Sequence, residues 1–171
     1  MSSKKPPNPR HRFPIYCEPG KSRLHYRVLI FKNATDLQRE AAATHGHSLR
    51  RLKHTKGLCS PFTLRSYRSK ARGGGFHTKP ICGAIRFTDT LLNSVVIAHE
   101  CAHAALAYAE RRGFRPHAHG DGQFVADDEE RYCKVLGDLV GQVYWQLMRR
   151  GYETVIKTAT KKRGRVFTRS N

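Results

Sequence analysis

Two histidines four residues apart, His99 and His103, bracket Glu100 in the pattern His-Glu-x-x-His. On an α-helix, residues four apart project from the same face, so both imidazoles can be offered to one Zn²⁺ ion. Glu100 then lies beside the metal rather than on it. There it can serve as general base for a zinc-activated water that attacks a peptide carbonyl, and return the proton to the leaving amine. The neighbours Val96, Ile97, Ala102, Ala104 and Ala105 are small or apolar. A buried active-site helix requires such neighbours, whereas solvated histidines on a surface helix would stand among polar residues.

A catalytic zinc takes a third protein ligand and leaves the fourth position open. Asp127, Asp128, Glu129 and Glu130 open a second helical stretch. At about 100° per residue, Glu129 falls near the centre of the apolar face made by Tyr132, Leu136, Leu139, Val140, Val143 and Leu147, and Glu130 lies on its flank. A carboxylate on an apolar face is costly unless paired or bound to metal, so Glu129 is the expected third ligand. Glu130 is the runner-up and Asp128 a partner for a ligating histidine. Complementing the helix N-terminus accounts equally well for Asp127, Asp128 and Glu130, but not for Glu129. A rival set, His117, His119 and Asp121, lies in a Gly-containing loop. It does not follow the HExxHxxGxxH spacing, since positions 106 and 109 are Leu and Ala, and these residues are expected to rim the cleft or contact substrate. Tyr108 and Tyr132 can donate to an oxyanion at the metal or simply build core.

The elements that must position these residues follow from pattern. Residues 91–112 are Ala-rich, free of Gly and Pro, and end in Arg111-Arg112-Gly113, which predicts a long helix carrying the motif, capped by Thr88 or Asp89. A second long helix is expected over 127–150, with acids at its start and Arg149-Arg150-Gly151 at its end, the polarity that the helix dipole favours. Residues 24–31 and 81–87 read as strands, the first followed by a cap signal at 33–36 and a short helix. Cys101 and Cys133 are expected to pack between the two long helices. The fold class is therefore α+β: a minimal domain with a small sheet, an HExxH helix and a glutamate-bearing helix, plus flexible basic segments.

Strand, HExxH helix and a second helix opening with Asp128-Glu129-Glu130-Arg131-Tyr132-Cys133 resemble the small zincin-like, gluzincin-type metallopeptidases of bacteriophages and mobile elements. The chain is more distantly similar to ImmA/IrrE-like and SprT-like peptidases. The resemblance covers residues 81–150. It implies a peptidase fold in which His99, His103 and Glu129 bind zinc and Glu100 is the base. The SprT-like group carries a third histidine after the motif, where a glutamate is expected here.

The 171 residues, 39% of them hydrophobic, suit one domain with tails and exclude two full domains. Thirty-two Lys and Arg against thirteen Asp and Glu give +19. Residues 89–153 hold ten of the acids and seven Lys or Arg, hence −3, while the remainder carries +22. An acidic core with a basic periphery points to polyanionic partners. Residues 1–20 read as a Pro-rich basic arm that adds little to the core. Residues 21–153 form the zincin-like domain, interrupted by a basic insertion at about 45–80, and residues 154–171 are a basic tail. Between 41 and 88 there is no carboxylate. Arg50, Arg51, Lys53, Arg65 and Arg68 there, with Lys161, Lys162 and Arg163 in the tail, are the candidate contacts to DNA or RNA. Five unevenly spaced cysteines, the absence of a twenty-residue apolar run and a polar N-terminus lead to the expectation of reduced thiols and a soluble, cytoplasmic protein with no membrane contact, in host cytoplasm if phage-encoded. The expected function is a zinc-dependent metallopeptidase acting on a peptide or protein substrate, one associated with nucleic acid if the basic segments bind it. The alternative is a non-enzymatic zinc-containing nucleic-acid-binding or host-interaction protein. A nuclease is disfavoured, because HExxH lacks a carboxylate-rich two-metal arrangement.

Overall fold

The computed structural model describes residues 6–45, 50, 52, 55–62, 66–68, 76–78, 80–114 and 126–152. In chain order these form β1 (His11–Tyr16), β2 (His25–Phe31), α1 (Ala34–His45), β3 (Gly57–Pro61), β4 (Ser66–Arg68), β5 (Phe76–Thr78), β6 (Ile81–Thr88), α2 (Ser94–Arg112) and α3 (Ala126–Met148). The fold is α+β: a four-stranded mixed sheet, ordered β1-β2-β6-β3, with three helices. The central strands β2 and β6 run parallel, and the two edge strands are antiparallel to their neighbours. β4 and β5 pair in a separate two-stranded sheet.

The helices α2 and α3 cover one sheet face. Phe13, Ile15, Tyr26, Val28, Ile30, Ile85 and Phe87 point into this layer and meet Ile97, Cys101, Ala104, Ala105, Tyr108, Leu139 and Val143. Small residues at 104 and 105 let α2 lie close to the strands, and the Tyr26 hydroxyl donates to the Ala104 carbonyl at 3.0 Å. On the other face α1 closes a smaller cluster of Leu29, Phe31, Leu37 and Ala84.

Four expectations are corrected. The N-terminal arm does contribute to the core: β1 pairs with β2 along its length, and Phe13, Ile15 and Cys17 are buried, because the alternate residues of this segment are apolar despite its prolines. Part of the expected insertion is structural, since β3 supplies the fourth strand of the main sheet. The cap of α2 is Asn93, whose side chain accepts from the Val96 N–H at 3.0 Å, and a 3₁₀ turn, Asp89–Leu91, occupies the place where the cap was expected. Cys101 is buried as expected, but Cys133 is exposed on α3; all five cysteines are free thiols. No helix among the described residues is long and apolar enough to cross a membrane.

Candidate functional site

The motif sits mid-way along α2, which is fixed at both ends by the Asn93 cap and by Gly113 in a left-handed conformation, φ 74°. Helical spacing turns His99 and His103 to one exposed face, where their Nε2 atoms stand 3.1 Å apart with the rings edge-to-face at 4.6 Å. Two Zn–N bonds of about 2.0–2.1 Å at a tetrahedral angle would separate their nitrogens by about 3.3 Å. The pair therefore fits the bite of one tetrahedral ion.

Glu100, one residue on, is buried with 6% of its surface exposed. Its Oε2 accepts from the backbone N–H of Cys59 in β3 at 2.7 Å. A Cβ on Gly57 would lie 2.8 Å from Glu100 Cγ, 2.9 Å from Val96 Cγ1 and 3.0 Å from Glu100 Oε1, so the glycine leaves the room that the carboxylate occupies. Burial pushes the Glu100 carboxyl up, while the Cys59 N–H and the charges of His99 and His103 pull part of the way back. The result is a carboxylate with raised proton affinity beside two convergent imidazoles, the property a general base needs.

Glu129 is not brought to this pair. Tyr144 in α3 stands beside Ser94 in α2, and nine residues of helix turn His103 to roughly the opposite side of α2 from Ser94. Glu100, between them in sequence, meets β3, and both histidines are exposed. Glu129 is exposed in the opening turn of α3, where the Arg131 guanidinium lies 4.6 Å from the centre of the Phe114 ring, just beyond the end of α2. The angle on the helical wheel was right for an apolar face, but the first turn of α3 lies at the edge of the core. Among the described residues no group of three or more His, Cys, Asp or Glu is placed to hold a metal ion.

The other candidates distribute as follows. Glu130 is exposed and lines a cleft with Glu18, Lys21, Arg112 and Arg131. Tyr132 is half-buried against the core, and burial raises its phenol. Tyr108 is fully buried and donates to Glu18, a structural duty that removes it from oxyanion binding. Arg50 is exposed. Arg68 belongs to β4, its side chain outside the described set. His117, His119, Asp121, Arg51, Lys53, Arg65, Lys161, Lys162 and Arg163 lie outside the described residues. Gly57 and Cys59 went unnoticed in the sequence. The one available signal was an isolated glycine opening a short strand, which marks close approach of another group. No family model, no curated protein and no solved structure matches this chain.

Proposed function

We propose that the protein is a zincin-like metallopeptidase in which His99 and His103 hold zinc and Glu100 is the general base. The observation that carries this is the 3.1 Å convergence of the two Nε2 atoms beside a buried carboxylate anchored to an edge strand. Zinc, when bound, supplies Lewis-acid polarisation of a carbonyl and activation of water. The protein's own contribution is positional. The Cys59 N–H holds one oxygen of Glu100 and leaves the other, Oε1, to take a proton and later deliver it to the leaving amine. Burial keeps that carboxylate from being solvated and sustains its basicity.

Because no third ligand joins the two histidines among the described residues, the third ligand in this proposal is sought in the connection between α2 and α3. His119 follows Gly113 by six residues, a reach of about 20 Å when extended. His103 lies only roughly 13 Å back along the helix from Arg112. His117 and His119 are therefore the ligands to test, with Glu129 as the comparison. Elemental analysis of full-length protein purified without chelator is expected to find one zinc per chain, lost in His103→Ala and in one of His117→Ala and His119→Ala, and retained in Glu129→Ala. Glu100→Gln is expected to keep zinc and fold while losing peptide hydrolysis. Zinc-free, folded wild type would overturn the metal site. Unchanged biological activity in Glu100→Gln would leave the metal with a structural role in a non-enzymatic protein.

A further inference from the structure

The two faces of the sheet are unequally covered. Opposite the α2–α3 layer, α1 packs on Leu29, Phe31 and Ala84, and among the described residues no helix covers the β1–β2 half. There Pro14 pairs across with Arg27 and Tyr16 with His25, while Arg12 pairs with Leu29, so Arg12, Pro14, Tyr16, His25 and Arg27 share one surface. Arg12, Pro14 and Tyr16 are exposed, and His25 and Arg27 are half-buried. The Tyr16 and His25 rings meet at 5.6 Å. Arg27 Nε is buried with no hydrogen-bond partner among the described residues. Neither strand contains a carboxylate. Of the nearby acids, Glu18 is taken by Tyr108 and Arg131 and Glu40 by Arg86.

We infer that this open half-face binds single-stranded nucleic acid. Arg12 and Arg27 supply phosphate contacts and the Tyr16–His25 pair a stacking platform. Positions 12 and 16 lie about 13 Å apart along β1, room for two or so nucleotides. An acidic peptide would satisfy the arginines but leave the rings unused. A duplex would hide the base faces that the rings need. The inference does not depend on the metallopeptidase proposal, and its test needs no catalytic activity.

The test is fluorescence anisotropy of the full-length protein with labelled oligo(dT), oligo(U) and a blunt duplex, each of about 15 nucleotides, over a salt series. Arg12→Ala/Arg27→Ala is expected to weaken single-strand binding roughly tenfold and to flatten the log–log salt slope by about 1 to 2. Tyr16→Ala is expected to weaken single strands roughly tenfold and spare the duplex, with Tyr16→Phe restoring most of the loss. Tighter binding of oligo(dT) or of oligo(U) would say which nucleic acid is the source; both support the site. If Arg27→Ala impairs folding, Arg12→Glu and Tyr16→Ala, both on exposed side chains, carry the test. Arg149→Ala, an exposed charge just past α3, controls for bulk charge. Equal weakening by Arg149→Ala, affinity unchanged in all variants, equal loss for duplex and single strand in Tyr16→Ala, or equal competition by polyglutamate would each overturn the inference.

Discussion

Gly57 and Glu100 form a single unit across two elements. Gly57 does not have a positive φ, so its glycine is explained by space and not by backbone conformation. A methyl group there meets Glu100 Cγ and Val96 Cγ1 at 2.8 and 2.9 Å, contacts that require one neighbour to move. Gly57→Ala is expected to destabilise the fold by about 1–3 kcal/mol, seen as a lower urea midpoint with unchanged m-value. Val96→Ala in the same chain should recover part of that loss by freeing one of the two contacts; an additive double mutant would show that the clash is relieved elsewhere. The motif itself was legible in the sequence because its chemistry is local: His99, Glu100 and His103 owe their common neighbourhood to one helix. Its support was not legible, because the Cys59–Glu100 bond joins residues 41 positions apart, through a strand embedded in a carboxylate-free stretch that reads as insertion. For the same reason the sequence does not decide the third ligand: among the described residues Glu129 is not grouped with the two histidines. A helical wheel gives the angle of Glu129 about α3 but says nothing about which side of α2 that helix packs against.

At the scale of elements, α3 carries a feature that packing among the described residues does not explain. Gly137 and Gly141 lie in the helix interior, exposed, and a Cβ on either would meet nothing within 4 Å. Glycine in a helix interior costs roughly 0.5–1 kcal/mol relative to alanine. Gly137→Ala and Gly141→Ala are therefore each expected to raise stability by about that amount, with a corresponding rise in Tm. A loss of stability in either would show that this face is covered in solution. Conversely, Asn93→Ala removes the side-chain acceptor for the Val96 N–H and is expected to cost about 1 kcal/mol, fraying the first turn of the helix that bears the motif. The long helices were legible because 3.6-residue periodicity, dipole-matched charges and Gly stops agree with one another over many residues. β1 and β3 were not, since each is short, and a strand's partners lie elsewhere in the chain. What makes His11–Tyr16 a strand is six residues of register against β2, visible only once the sheet exists.

One carboxylate at the end of the sheet ties three elements of the molecule together. Glu18, just past β1, accepts from the Tyr108 hydroxyl in α2 and from Arg131 in α3, at 3.0 Å to Nη2, so three elements converge on it. Burial works against its charge, but the Tyr108 hydroxyl, Arg131 and Arg112 together outweigh this and hold the carboxyl below the usual glutamate range. A carboxyl whose pKa is lower in the folded than in the unfolded chain binds fewer protons when folded. Its contribution is complete above the unfolded value of about 4.3 and disappears as pH falls through the folded value. Wild type and Glu18→Gln should therefore differ most in urea unfolding at neutral pH, and their curves should converge as pH drops below about 4. Tyr108→Phe removes one of the donors that depress the pKa, so it should lower stability by about 1–3 kcal/mol and make the acid dependence shallower. A constant offset between Glu18→Gln and wild type from neutral pH into acid would mean that the glutamate contributes through packing alone. The prediction is sharp in this chain because carboxylates are scarce: with thirteen Asp and Glu against thirty-two Lys and Arg, each acid neutralised leaves the basic periphery with less to balance it. Loss of the Glu18 charge therefore removes an anchor of the α2–α3 layer just as overall repulsion grows.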